Sequence, residues 1–151
     1  MILIADGGST KCDWILLDLK GEQVLKTRTK GLNPAVFKAE VLEQRLAEND
    51  DLKQVREKVE KVHFYGAGCG KPKPTAALKM LFETSYTGPS EAEVQSDMVA
   101  AAYTVTAKPE NGCILCTSST CCYVNGNTFR PAASTRCYFS IVEDNQIYYG
   151  T

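Results

Sequence analysis

Six residues near the start, Asp6-Gly7-Gly8-Ser9-Thr10-Lys11, bring together the groups that phosphate chemistry needs. Two glycines let backbone N–H groups turn inward, Ser9 and Thr10 add hydroxyls, Lys11 adds a cation, and the Asp6 carboxylate could hold hydrated magnesium. A P-loop or a dinucleotide fingerprint must open a helix whose N-terminus meets the phosphate. Here the loop leads into Cys12 to Asp18, a stretch rich in β-formers, so hairpin backbone donors would have to do that work. A glycine-rich hairpin turn with no ligand is the competing use of the same residues. Seven cysteines are present, five of them between Cys113 and Cys137. Cys113-Ile-Leu-Cys116 followed by Cys121-Cys122 invites a zinc or iron-sulfur reading, but ligands three apart on a strand point to opposite faces, so buried thiols are expected. His63, the single histidine, has no partner visible in the sequence and is read as a sheet-face or core residue.

The elements that must position these groups follow from periodicity. Ile2 to Ala5 is a short apolar run, and Cys12 to Asp18 and Gln23 to Thr29 are two further extended runs separated by turn chemistry at Leu19-Lys20-Gly21. Short turns predict antiparallel neighbours. Asn33-Pro34 reads as a helix start, with Phe37, Val41, Leu42 and Leu46 at helical spacing, and Leu52, Val55 and Val59 continue a helical stripe. Val62 to Tyr65 predicts a strand, Gly66-Ala67-Gly68-Cys69-Gly70 a turn, and Leu78, Leu81 and Phe82 the face of the next helix. Glu91 to Gln95 predicts a strand before a helix from Met98, and Cys113 to Thr117 and Thr120 to Val124 predict two more, the second ending at the hairpin signal Asn125-Gly126. The expected class is α/β, a mixed sheet flanked by helices in a single lobe.

Composition narrows the partners. The chain has 151 residues, 17 basic against 18 acidic, and no basic stripe with interleaved aromatics, which disfavours a nucleic-acid binder. No stretch approaches the ~18 apolar residues of a membrane span, and the start carries no basic n-region before its brief apolar run. A cytoplasmic protein with reduced thiols is expected, and the odd cysteine count argues against a disulfide framework.

Four motifs in register, Asp6-Gly-Gly-Ser-Thr-Lys-Cys-Asp-Trp14, Thr29-Lys-Gly-Leu-Asn-Pro34, Phe64-Tyr-Gly-Ala-Gly-Cys69 and Ser96-Asp-Met-Val-Ala-Ala-Ala102, resemble the N-acetylglucosamine kinase and benzoyl-CoA-reductase-activator ATPase family of the actin-like ATPase and sugar-kinase superfamily. The resemblance covers residues 1–126. It implies an RNase H-like N-terminal lobe, with 127–151 an irregular end where a second lobe would begin. It further implies ATP and Mg as cofactors, a small-molecule sugar as partner, and a homodimer as one assembly. Asp97 corresponds to the base that accepts the proton of the attacking sugar hydroxyl, although Ser96 or Asp97 could instead cap the following helix. Asn33 corresponds to a sugar-contacting asparagine but also stands in a capping context, and Gly66, Ala67 and Gly68 would let substrate approach the backbone or simply make the turn.

One departure from the family pattern matters. The second phosphate motif of the family is a strand followed by Gly-Thr-Gly-Ser-Asn-Ser, whereas this chain has Cys116-Thr117-Ser118-Ser119 there: Thr117 keeps a hydroxyl and both glycines are missing. The expected function is ATP-dependent phosphoryl transfer to an amino-sugar hydroxyl. The alternatives are an ATPase activator of a dehydratase or reductase carrying an iron-sulfur cluster, and a non-catalytic nucleotide- or sugar-binding lobe. With the second phosphate loop altered, a coupled assay on the 151-residue chain alone should give turnover far below the ~10 per second typical of enzymes.

Overall fold

The computed structural model describes residues 1–86, 91–105, 110–115, 119–125, 128–131, 140–143 and 146–149. They form two compact units, Met1–Ala100 and Ala101–Thr151. In the first, strands β1 (Ile2–Gly7), β2 (Lys11–Leu17), β3 (Gln23–Lys30), β4 (Lys61–Gly66) and β5 (Glu91–Gln95) make a mixed sheet in the order β3-β2-β1-β4-β5. β1, β2 and β3 pair antiparallel, and β4 and β5 add to β1 in parallel. No helix follows Lys11, which opens β2 directly, so the opening is the strand, turn, strand, turn, strand expected from the turn chemistry.

Helices α1 (Ala39–Ala47), α2 (Asp50–Val55) and α3 (Pro72–Ser85) bury Leu42, Leu46, Leu52, Leu78 and Phe82 in one core with the sheet residues Leu3, Trp14, Leu16, Val62, Phe64, Ala92 and Val94. The alternation of these strand residues puts the core on one face of the sheet. At its centre the ring of Phe64 lies 6.3 Å from Trp14 and 5.3 Å from Phe82, and Trp14 meets Phe82 edge-on at 6.0 Å. The Trp14 indole N–H donates to the Thr29 hydroxyl at 3.0 Å, so its polar atom is satisfied within the core.

The start of the first helix differs from expectation. Asn33-Pro34 starts a single turn, in which the Asn33 carbonyl accepts from the amides of Val36 and Phe37, and the helix begins only at Ala39. Lys38 between them is extended, with ψ of 159°, and supplies no side-chain cap. The cause is tertiary: Asn33 is anchored elsewhere, and the chain must extend to lay Phe37 against the core, where the Arg45 guanidinium covers its ring at 3.8 Å. Asn49, by contrast, is a working cap for α2, its side chain accepting from the Leu52 amide and donating to Thr27 and to the Arg28 carbonyl on β3.

α4 (Asp97–Val105) follows β5 and runs on into the second unit. That unit holds an antiparallel sheet of β6 (Glu110–Leu115), β7 (Ser119–Asn125) and β8 (Thr128–Pro131), and a hairpin of β9 (Ser140–Glu143) and β10 (Gln146–Tyr149). Asn125 pairs with Thr128 across the turn signalled by Asn125-Gly126. Three strands therefore fall within 127–151, the stretch read from its sequence as irregular.

Gly7 ends β1 where a Cβ would overlap the Phe64 ring. Gly7→Ala should therefore destabilise the protein by about 1 to 3 kcal/mol through overpacking. A lowered urea midpoint measures this, and the penalty should shrink when Gly7→Ala is introduced into a Phe64→Leu background.

Candidate functional site

Register decides what the loops can share. Gly7 of β1 lies beside Gly66 of β4, and Asp6 beside Tyr65, which in turn lies beside Gln95 of β5. Because these three strands are parallel, the chain leaves all of them at the same edge of the sheet. The loops after β1 and β4 and the start of α4 thus converge at the strands' carboxyl ends, the place where open α/β sheets take ligands. Burial pushes the Cys69 thiol in the loop after β4 up to about 12, and the Asp97 carboxylate adds to that rise. Cys69 is consequently a neutral thiol at physiological pH rather than a nucleophile.

The loop after β1 is a closed hairpin. The Gly8 amide donates to the Lys11 carbonyl at 2.8 Å, and neither Gly7 nor Gly8 has a positive φ. Gly7 is required by the Phe64 ring, so the freedom expected of the two glycines is not what shapes this turn. Among the described residues, no acceptor takes the amides of Ser9 and Thr10, whose side chains are exposed. These two N–H groups, the two hydroxyls and the exposed Lys11 are the donors available to an anion.

Carboxylates stand behind them on the sheet face away from the core. Asp6 and Asp13 are directly opposite in the β1–β2 ladder, where like charges repel. Asp13 is neutralised: Arg28 Nε, on the neighbouring strand, lies 2.5 Å from Oδ1, and Lys11 Nζ 3.6 Å from Oδ2. The hydrogen bond from Arg28, with the charges of Arg28 and Lys11, holds the Asp13 carboxyl below its usual range. Asp6 is exposed and, among the described residues, has no cation in ion-pair contact. It is the carboxylate left for a hydrated metal.

Asp97 is the first residue of α4 and is exposed, and its Oδ1 accepts from the Ser96 hydroxyl and the Met98 amide, each at 3.0 Å. The helix start is therefore capped by this pair, as its residue types allowed. Asn33 is buried, with Nδ2 donating to Ser9 Oγ at 2.8 Å and Oδ1 accepting from the Ala35 amide at 2.9 Å. Gly66 closes β4, the Ala67 amide donates to the Gly7 carbonyl at 2.8 Å, and Gly68 has φ +84°. Thr117 lies outside the described residues, and so do the side chains of the cysteines from 113 to 137, although the backbone register sets Cys113 opposite Cys121. Among the described residues, no three His, Cys, Asp or Glu side chains come close enough to hold a metal ion together.

Sequence reasoning missed two contacts. Asp13 and Arg28 are 15 residues apart and meet only through the β2–β3 register. His63 Nδ1 lies 2.9 Å from Glu93 Oε2 on the adjacent strand, outside hydrogen-bond geometry, and pairs as an ion only when the imidazole is protonated. The alternation of charged residues on β2 and β3 carried a signal for the first, but not its register.

No protein-family model matches the chain, and no curated protein matches it. Solved structures do. A candidate N-acetylglucosamine kinase from Porphyromonas gingivalis shares 30% identity and a TM-score of 0.79 over 89% of this chain and 48% of its own. A ROK family glucokinase from Streptomyces griseus, in complex with glucose and AMPPNP, matches 85% of this chain and 46% of its own at 19% identity and a TM-score of 0.57. The ethanolamine utilization protein EutJ from Carboxydothermus hydrogenoformans covers 88% of this chain and 52% of its own at 12% identity and a TM-score of 0.55. The chain spans about half the length of each of these proteins. The fold is that of the actin-like ATPases and sugar kinases, in the extent of a single lobe. Within that class, the resemblance to the N-acetylglucosamine kinase and benzoyl-CoA-reductase-activator ATPase family carried by its motifs is matched by structural likeness to the Porphyromonas gingivalis protein. Among the described residues, no helix is long and apolar enough to cross a membrane.

Because the folded Asp13 carboxyl is held below its unfolded value of about 4, the stability it contributes is complete above that value. That stability is lost as pH falls below it toward the folded pKa. In acid titrations followed by circular dichroism, wild type and Asp13→Asn should differ at neutral pH and converge as the pH drops below about 4.

Proposed function

We propose that this chain is the nucleotide- and sugar-binding first lobe of an ATP-dependent kinase that phosphorylates a hydroxyl of N-acetylglucosamine or a related amino sugar. The observation that carries the reading is the convergence of the loops after β1 and β4 and the start of α4 at the carboxyl ends of β1, β4 and β5, which brings Asp97 to the same sheet edge as the loop that contains Gly66, Ala67 and Gly68. The likeness to the Porphyromonas gingivalis protein supports the substrate class, and the nucleotide analogue and glucose held by the Streptomyces griseus glucokinase support the same pair of ligands.

The residues present fit the cofactor. Ser9 and Thr10 would receive terminal phosphate oxygens through their amides and hydroxyls, Lys11 would add a cation, and Asp6 would hold magnesium through water. ATP supplies the phosphoryl group and magnesium neutralises its charge when they are bound. Asp13 contributes by keeping Lys11 and Arg28 on the same sheet face, so that the cations stand at the loop without leaving Asp13 unpaired. Asp97 would orient the sugar hydroxyl and accept its proton, and the half-buried loop residues Ala67 and Gly68 would border the sugar. Rate would come from positioning and charge neutralisation, with no covalent intermediate.

Hexosamine-dependent ADP release tests the activity, and Asp97→Asn tests the base. Asparagine caps about as well as aspartate, so a structural Asp97 predicts an unchanged melting temperature and unchanged rate. As the base, in a form of the protein that includes both lobes, Asp97→Asn should lower turnover by about 10² to 10⁴ while ATP affinity and melting temperature hold. Near-normal sugar phosphorylation by that variant would remove Asp97 from the mechanism.

A further inference from the structure

Asn33 is one of only two polar or charged residues in the described buried set, and every contact it makes runs between segments distant in sequence or closes a turn that presents it. Its Nδ2 donates to Ser9 Oγ at 2.8 Å, 24 residues away on the loop after β1. Its Oδ1 accepts from the Ala35 amide at 2.9 Å, which fixes the plane of the amide group. The same oxygen lies against Gly68, 35 residues further along on the loop after β4, so closely that a Cβ at Gly68 would overlap it. Gly68 also has φ +84°, a conformation that disfavours any side chain there. Backbone bonds reinforce the first of these junctions: Gly31 N–H donates to the Thr10 carbonyl at 2.9 Å and Leu32 N–H to the Gly8 carbonyl at 3.1 Å. Arg45 donates in turn to the Gly31 carbonyl.

The loop that offers donors to an anion and the loop after β4 are thus touched by opposite ends of one buried amide. A buried, fully oriented amide has little rotational freedom, because each end is held by a group of fixed position. A displacement of Gly68 pushes on Oδ1, and rotation of the amide moves Nδ2 against Ser9. We propose that Asn33 is a positioning residue that couples these two loops mechanically, so that a ligand seated at Gly66 to Gly68 sets the conformation of Ser9 and Thr10. The ligand identities rest on the kinase reading given above, whereas the coupling itself rests on the contacts of Asn33.

The test separates the two. In ¹H–¹⁵N spectra of the ligand-free 151-residue chain, Gly68→Ala should move the amide resonances of Ser9 and Thr10. The same substitution should leave them in place in an Asn33→Ala background. Should Asn33→Ala fail to fold, Ser9→Ala, at an exposed side chain, removes the same link and should block the transmission to Thr10. Urea midpoints add a second readout: Gly68→Ala should cost less stability in the Asn33→Ala background than in wild type, because the overlap with Oδ1 is gone. N-acetylglucosamine is then titrated into wild type and Ser9→Ala. Shifts at Gly66 to Gly68 that reach Thr10 in wild type and stop short of it in Ser9→Ala support the coupling. No response to the sugar at any resonance, with the mutational transmission intact, defeats the sugar reading and leaves the coupling standing. Equal transmission from Gly68 to Thr10 with and without the Asn33 and Ser9 side chains would overturn the coupling, whatever the sugar does.

Discussion

The placement of one ring organises this lobe. Phe64 sits at the middle of the sheet's core face, between Trp14 and Phe82, and overlies the last residues of β1 and β4. Nothing larger than glycine fits at Gly7 or Gly66 beneath it. The aromatic cluster therefore requires both strands to end in glycine side by side, at the edge of the sheet where their parallel direction releases both loops. Packing in the core and geometry at the site are one constraint. A glycine pattern that resembles a ligand-binding signature is, at Gly7 and Gly66, satisfied first by the shape of a phenyl ring.

The opposite face of the sheet follows electrostatic rules. Asp6 and Asp13 face one another across β1 and β2, an arrangement that is unfavourable unless one charge is compensated. Arg28 and Lys11 compensate Asp13 and leave Asp6 exposed. The result is a graded row across the strands, with cations and a neutralised carboxylate toward the β3 edge and an open carboxylate at β1.

Loop positions here are also set by buried polar contacts rather than by apolar packing alone. Asn33 and Thr29 each place an amide or hydroxyl where it bonds two partners from different elements. Such groups are costly to bury unpaired, so they act as registers: the loops either adopt the arrangement that satisfies them or lose stability. Loops are the most mobile parts of most lobes, and here those at the strand ends are tied by such contacts.

By itself the sequence determined what is local. The apolar run before Asp6, the β-formers after Lys11 and the turn residues at Leu19-Lys20-Gly21 dictated three antiparallel strands, and the strand read at Glu91 to Gln95 is β5 with the same bounds. Ser96 and Asp97 announced the start of α4 because capping is a property of adjacent residues. Four motifs in order also carried the fold class. Only the tertiary structure decided the rest, because each remaining feature joins residues that are far apart in the chain. The start of α1 moved from Pro34 to Ala39 because Asn33 is held by Ser9 and Phe37 must reach the core. Arg28 met Asp13, and Glu93 met His63, through strand register that no local period specifies. Gly7 proved to answer to Phe64, 57 residues later, since a close approach between two strands exists only once both strands are in place.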